Sequence, residues 1–201
     1  MNTHSDGKME LPYKIILASN SPRRRELLGG LGIDFTVKVI DGIDESWPHD
    51  LKGEDIPLYI SKEKAAPYKA AIANDELVIT ADTIVYVDGE VLGKPHDKAD
   101  AVRMLKLISG RWHEVITGVT LMTKERERSF AVTTKVKFSN LSDDEIRRYV
   151  DSGLPMDKAG AYGIQEWIGY VGVEAIEGSY FNVVGLPVQR LYRELMEFIK
   201  I

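Results

Sequence analysis

An apolar strand that passes through a short polar loop into a helix opening on three arginines constrains this chain more than any other segment. Residues 15–28 read IILASNSPRRRELL. The run Ile15-Ile16-Leu17 has the character of a buried strand, and Ala18, Ser19, Asn20 and Ser21 form a small polar loop. Ser21 is a good N-cap and Pro22 suits the first helical position, so a helix is expected from Pro22 to near Gly29-Gly30. Helix starts carry the positive end of the macrodipole, and each cation there is disfavoured by about 0.3–1 kcal/mol unless an anion joins it. A phosphate is such an anion, and a strand, a loop and a helix start in that order form a cradle for one. Ser19, Arg23 and Arg24 are therefore candidates for binding a phosphate-bearing ligand. The alternative is a solvated basic face with Glu26 as a local partner, a reading that suits Arg25 best.

The length, 201 residues, fits one domain or one domain with two lobes, and 44% hydrophobic content supplies a core. No apolar run is long enough for a bilayer span. The first thirteen residues, MNTHSDGKMELPY, lack the apolar segment of a signal peptide, so 1–13 read as a disordered tail on a cytoplasmic protein and 14–201 as the working domain. With no cysteine, disulfides, thiolate metal sites and cysteine nucleophiles are excluded. Oxygen ligands for a hard cation remain. A net charge of −5 sets the arginines against an acidic background, which argues against a nucleic-acid polymer and for a small polyanion.

Along the chain, 35–40 alternates like a strand and leads to an acidic loop, 41–50, that carries Asp41, Asp44 and Glu45. Residues 56–73 have helical character, with Pro67 placed to kink or end the helix. A strand over 77–87 meets the hairpin signal Asp88-Gly89. An amphipathic helix over 97–108 follows, then strands over 112–122 and 130–138 joined by a charged turn. Ser142 and Glu145 make a capping box for a helix ending near Gly153. A strand over 171–176 and a helix started by Pro187 complete the pattern. The fold class is α/β, a mixed sheet flanked by helices.

Three further features carry chemistry. Asp82 interrupts the apolar strand VITADTIVYV, and an ionised carboxylate there needs a metal, a cation or a cleft, unless it caps backbone N–H groups around Thr83. Gln165 closes the glycine-rich segment DKAGAYGIQ; its amide offers a donor and an acceptor that match the edge of uracil or thymine, the alternative being a solvated loop glutamine. Lys64 and Lys94 can each project an ammonium group towards a triphosphate. His4, His49, His96 and His113 show no metal-ligand spacing, and neither a nucleophile elbow, a Walker loop nor a dinucleotide fingerprint is present.

With these residues located, the chain resembles the Maf family of nucleoside triphosphate pyrophosphatases from about Lys14 to Phe198. The motifs are LASNSPRRRELL, GIDE ending at Glu45, SKEKA around Lys64, ADTIV with Asp82, GEVLGKP with Lys94, SGRWHEVITGV, DKAGAYGIQ and NVVGLP. The resemblance implies an architecture similar to inosine triphosphatases: an elongated mixed sheet, two lobes and a central cleft. It implies hydrolysis of a nucleoside triphosphate to the monophosphate and pyrophosphate, assisted by Mg²⁺ or Mn²⁺, in a protein that is often a homodimer. Asp82 would be the general base and, with Glu45, the metal-binding carboxylate; Lys64 and Lys94 match active-site positions. Arg23, Thr83 and Gln165 match specificity positions and resemble the dTTP and UTP branch. The alternatives are a same-fold enzyme for 7-methyl-GTP or inosine nucleotides, and a non-enzymatic nucleotide-binding regulator of cell division. The stretch after Gln165, EWIGYVGVEAIEG, departs from the family's usual glycine-rich pattern and puts Trp167 next to the base-reading position.

Overall fold

Parallel pairing on both sides of one short strand organises the first part of the sheet. In the computed structural model, which describes residues 9–200, β1 (Lys14–Leu17) pairs in parallel with β2 (Phe35–Val37) and with β3 (Glu76–Val87). Burial of Ile15, Ile16 and Leu17 on both faces accounts for their unbroken apolar run. β4 (Glu90–Leu92) folds back antiparallel on β3. Asp88 and Gly89 take φ of 51° and 84°, the two left-handed residues that a tight hairpin of this twist needs. β5 (Trp112–Met122), β6 (Glu127–Phe138) and β7 (Val173–Glu177) complete a seven-stranded sheet of order β2-β1-β3-β5-β6-β7. β7 runs antiparallel to β6, so the sheet is mixed.

The helices are α1 (Pro22–Gly29), α2 (Asp55–Ala65), α3 (Lys98–Ile108), α4 (Asp143–Asp151), α5 (Trp167–Gly172), α6 (Tyr180–Val184) and α7 (Val188–Phe198). α2 stops at Ala65 and tightens into a 3₁₀ turn over Ala66–Ala70, where Pro67 lacks the N–H that a continuing helix would use. The predicted strand over 35–40 is shorter than expected. The Tyr68 hydroxyl accepts from Ile40 N at 2.9 Å and donates to Lys38 O at 2.9 Å, replacing the ladder bonds of a longer strand. The predicted strand over 171–176 is also corrected: α5 occupies its start and β7 begins at Val173. Gly169 fits there because a Cβ would lie 1.9 Å from Ile164 O. Residues 1–8 of the predicted tail lie outside the described residues, and Met9 bridges to Ile33, so backbone pairing begins ahead of Lys14.

The chain divides into two compact units, one formed by Met1–Asp82, Gly118–Ala131 and Gly185–Ile201, the other by Thr83–Thr117 and Val132–Val184. In the first, α2 lies close against β5 at Gly118, where a Cβ would stand 2.2 Å from the Pro57 carbonyl oxygen. Ser61 then joins the sheet, accepting through its carbonyl from Thr80 Oγ1 at 2.6 Å and pairing its hydroxyl with Thr120 at 2.9 Å. Gly118→Ala should destabilise the protein by about 1–3 kcal/mol in urea unfolding, because the new methyl meets backbone that cannot yield.

In the second unit, His113 is 2% exposed, packs edge-on against Phe138 and Tyr162, and shares a 2.7 Å hydrogen bond with the Tyr162 hydroxyl through Nε2. Burial pushes its pKa down from 6.5 to about 4. The unfolded chain therefore binds a proton that the folded chain refuses between those values, so this contribution is complete above about pH 6.5 and is lost as pH falls towards 4. It is on the order of 3 kcal/mol. Urea unfolding from pH 4 to 7 should show this slope, and His113→Gln should flatten it.

Candidate active site

The fold brings the acidic loop, α2 and β3 together on one ammonium group. Lys64, near the end of α2, places Nζ 2.8 Å from Asp82 Oδ1 and 3.0 Å from Glu45 Oε1. Asp82 is buried at 7% exposure, so its charge has little access to water and needs this partner. Glu45 is exposed, but its loop is anchored. Ile40 and Ile43 pack on a core of Ile16, Ala65, Tyr68, Ile72, Val78 and Met122, and the Tyr68 hydroxyl clasps the backbone at Lys38 and Ile40. The same core thus carries Lys64's helix end and the approach to Glu45. Asp44 is occupied locally: it accepts from Ser46 N and Ser46 Oγ, both at 2.8 Å, which holds its carboxyl below the usual range.

The three arginines of α1 have different surroundings. Ser21 caps the helix by accepting from Arg24 N, and Ser19, itself buried, accepts from Ser21 N at 3.2 Å, so the polar loop is wound on its own hydroxyls. Arg25 is exposed and reaches Asn20 Oδ1 at 3.3 Å. Arg24 turns inward. Its Nε donates to Gly185 O and its Nη1 to Ala81 O, each at 2.9 Å, which ties α1 to the middle of β3 and to the NVVGLP segment. Burial lowers the Arg24 pKa, the nearby Asp82 charge opposes that shift, and the guanidinium stays charged. Arg23 is half-buried, and its charge acts on Arg24.

Glu45, Lys64, Asp82 and Arg24 are therefore gathered in the first unit, together with Ser19 and Arg23 on the loop and helix that hold Arg24. The second unit carries Thr83, Lys94 and Gln165. Thr83 pairs its hydroxyl with Thr117 at 2.9 Å. Lys94 is exposed in the turn after β4, where Gly93 O accepts from Gly160 N at 3.0 Å. Gln165 is exposed at the end of the glycine-rich segment.

Sequence reasoning missed the Gly185 carbonyl as an Arg24 acceptor, because a backbone oxygen leaves no residue signature. It also missed Tyr68, whose signal as a tyrosine after Pro67 is indistinguishable from a core aromatic. Asn182 was overlooked too: buried, it donates to Val115 O at 3.1 Å and Val132 O at 3.0 Å, fixing the NVVGLP segment from its first residue. Arg24→Lys cannot serve two carbonyls with one fixed fork, so it should cost about 1–3 kcal/mol in urea unfolding although the charge is kept.

Comparison with known proteins matches this arrangement to one family. The model for Maf, described as Maf-like protein, matches residues 14–198. A dTTP/UTP pyrophosphatase of Bacteroides fragilis is 60% identical over 185 residues, covering 92% of this chain and 96% of the relative. Proteins of the same name from Phocaeicola vulgatus and Porphyromonas gingivalis are 62% and 50% identical, covering 91% and 92% of this chain and 95% and 94% of the relatives. With the match running through nearly all of the described residues, the chain belongs to the Maf family.

Proposed function

We propose that this protein hydrolyses dTTP and UTP to the nucleoside monophosphate and pyrophosphate, by attack of water on the α-phosphorus. The observation that carries the reading is the convergence of Glu45 and Asp82 on Lys64, beside the half-buried charge of Arg24. It occurs in a chain 50–62% identical to relatives named for that reaction. A binding protein gains nothing from a buried carboxylate facing a polyphosphate; a hydrolase gains a general base.

Asp82 accepts the proton of the attacking water, and its fixed place in the middle of β3, held by Lys64, supplies the orientation. Lys64 holds that carboxylate in position and contributes positive charge where the phosphates carry negative charge. Arg24 adds charge from its anchored place, Arg23 and Ser19 serve the phosphates at the start of α1, and the family resemblance adds Lys94 to this set. The resemblance likewise assigns base reading to Thr83 and Gln165.

The donor set also suits a hard divalent cation. Glu45 and Asp82 are oxygen donors that already meet at one positive group, and among the described residues no cluster of three or more possible ligands forms. One or two carboxylates completed by substrate phosphates and water is the habit of Mg²⁺, with Mn²⁺ close to it. Glu45 and Asp82 would hold such an ion, which would supply positive charge for the triphosphate and the pyrophosphate leaving group. We further infer a cytoplasmic homodimer that acts on free nucleotides. Among the described residues no helix is long and apolar enough to cross a membrane.

A panel of nucleoside triphosphates assayed with Mg²⁺ or Mn²⁺ tests the reading. UTP and dTTP should give monophosphate and pyrophosphate, with activity lost on chelation and restored by the metal. Release of inorganic phosphate with a diphosphate product would overturn it. Asp82→Asn keeps an oxygen for Lys64 and should lower turnover by about two to four orders of magnitude with substrate affinity retained. Unchanged pyrophosphate release by that variant would remove Asp82 from the mechanism.

A further inference from the structure

Around Gln165 the side chains build a buried polar network. Lys158 is 7% exposed, and its Nζ donates to Leu154 O and Asp157 Oδ1, both at 2.6 Å, and pairs with Glu166 Oε1 at 2.8 Å. The other carboxylate oxygen of Glu166 accepts from the Tyr149 hydroxyl of α4, and that hydroxyl accepts from Gly163 N at 3.1 Å. Both Glu166 oxygens are thus used, and the chain Lys158, Glu166, Tyr149, Gly163 closes around the loop that ends in Gln165. One position further on, the Trp167 ring lies under the Arg148 guanidinium at 4.8 Å. The two residues that follow Gln165 are therefore pinned to two consecutive residues of α4.

The loop has little room to move. A Cβ on Gly163 would stand 2.9 Å from Glu166 Cδ and 2.9 Å from Lys158 Cε, so a larger residue there would push on the ion pair that passes beneath the backbone. Gly160 and Ala161 both take left-handed φ, 68° and 58°, and the alanine pays a steric penalty that the surroundings must hold in place. Gln165 itself is exposed and makes no hydrogen bond or ion pair with the described residues, although its neighbours on both sides are fixed. An amide left without a partner on an immobilised stem is preorganised for a ligand.

We propose that Glu166, held by Lys158 and Tyr149, is a positioning residue for base recognition: it fixes the backbone that aims the Gln165 amide, and so sets the preference for pyrimidine over purine triphosphates. This rests on the reading of Gln165 as the base-contacting residue. Glu166 touches neither the phosphates nor the Lys64 cluster in this role, and it acts only through the loop. Trp167 stacks against Arg148 of α4.

Glu166→Gln and Tyr149→Phe test this, with kcat and KM for UTP and GTP measured by pyrophosphate release and folding followed by thermal unfolding. Each variant should raise KM for UTP on the order of tenfold, since small misplacements of a positioned group have effects of that size or larger. kcat for UTP and the slow turnover of GTP should change far less, so that the ratio of kcat/KM values for the two nucleotides falls. Glu166→Asp, which keeps the charge, should recover part of that ratio. A uniform fall in kcat/KM for both nucleotides, tracking lost thermal stability, would show a merely structural network and overturn the proposal. A wild-type protein that prefers UTP, with variants that keep its ratio, would overturn the positioning role alone. A wild-type protein that does not discriminate between the two would overturn the reading of Gln165 as well.

Discussion

A lysine held between two carboxylates is the constraint from which the rest of this structure follows. Asp82 sits on a strand surrounded by apolar residues, and an unpaired charge there would be untenable. Lys64 must therefore come to it, which requires α2 to lie close on the sheet, which in turn requires glycine at 118. The acidic loop is drawn in by the same group through Glu45. Buried ion pairs of this kind are rarely stabilising beyond what apolar residues of similar volume would achieve. Their presence is better understood as chemistry: a carboxylate fixed in orientation, at low exposure, with a cation that keeps it so.

Arg24 is the second such tie, and it alters how the arginine-rich helix start is understood. The electrostatic argument required something negative near three cations at a helix N-terminus. For Arg24 the negative surroundings include the carbonyl oxygens of Ala81 and Gly185, which carry only partial charge, besides the Asp82 and Glu45 carboxylates. The tie fixes the start of α1 relative to the residue before Asp82, so the arginine corner and the buried acid meet as the motif order implied. A guanidinium is suited to this because its donors diverge in a rigid plane, which an ammonium cannot imitate.

What the sequence made legible depends on how local the cause was. The Asp88-Gly89 turn, the Ser142 capping box, the Ser21 cap with Pro22 and the break at Pro67 are all set by neighbouring residues, and all are present. Asp82 and Lys64 stood out because a charge in an apolar strand and a lysine in a motif both have visible chemistry. The second halves of these interactions were hidden. Backbone oxygens, the Tyr68 hydroxyl and the loop path near Ile40 depend on tertiary approach, so they do not show in spacing. α5 was missed because its short run WIGYVG contains two glycines and β-favouring residues. Helix wins there through Gly169 seated on Ile164 and Trp167 held by Arg148, neither of which is a propensity.

The distribution of these residues between the two units separates two contact networks. Glu45, Lys64, Asp82 and Arg24 belong to one unit, and Gln165 with its Lys158, Glu166 and Tyr149 supports belongs to the other. No member of one network is a member of the other. Sites without shared partners tend to respond independently to substitution. Under the proposed function, the side chains that aim the Gln165 amide can therefore change while Asp82 and Lys64 stay as they are.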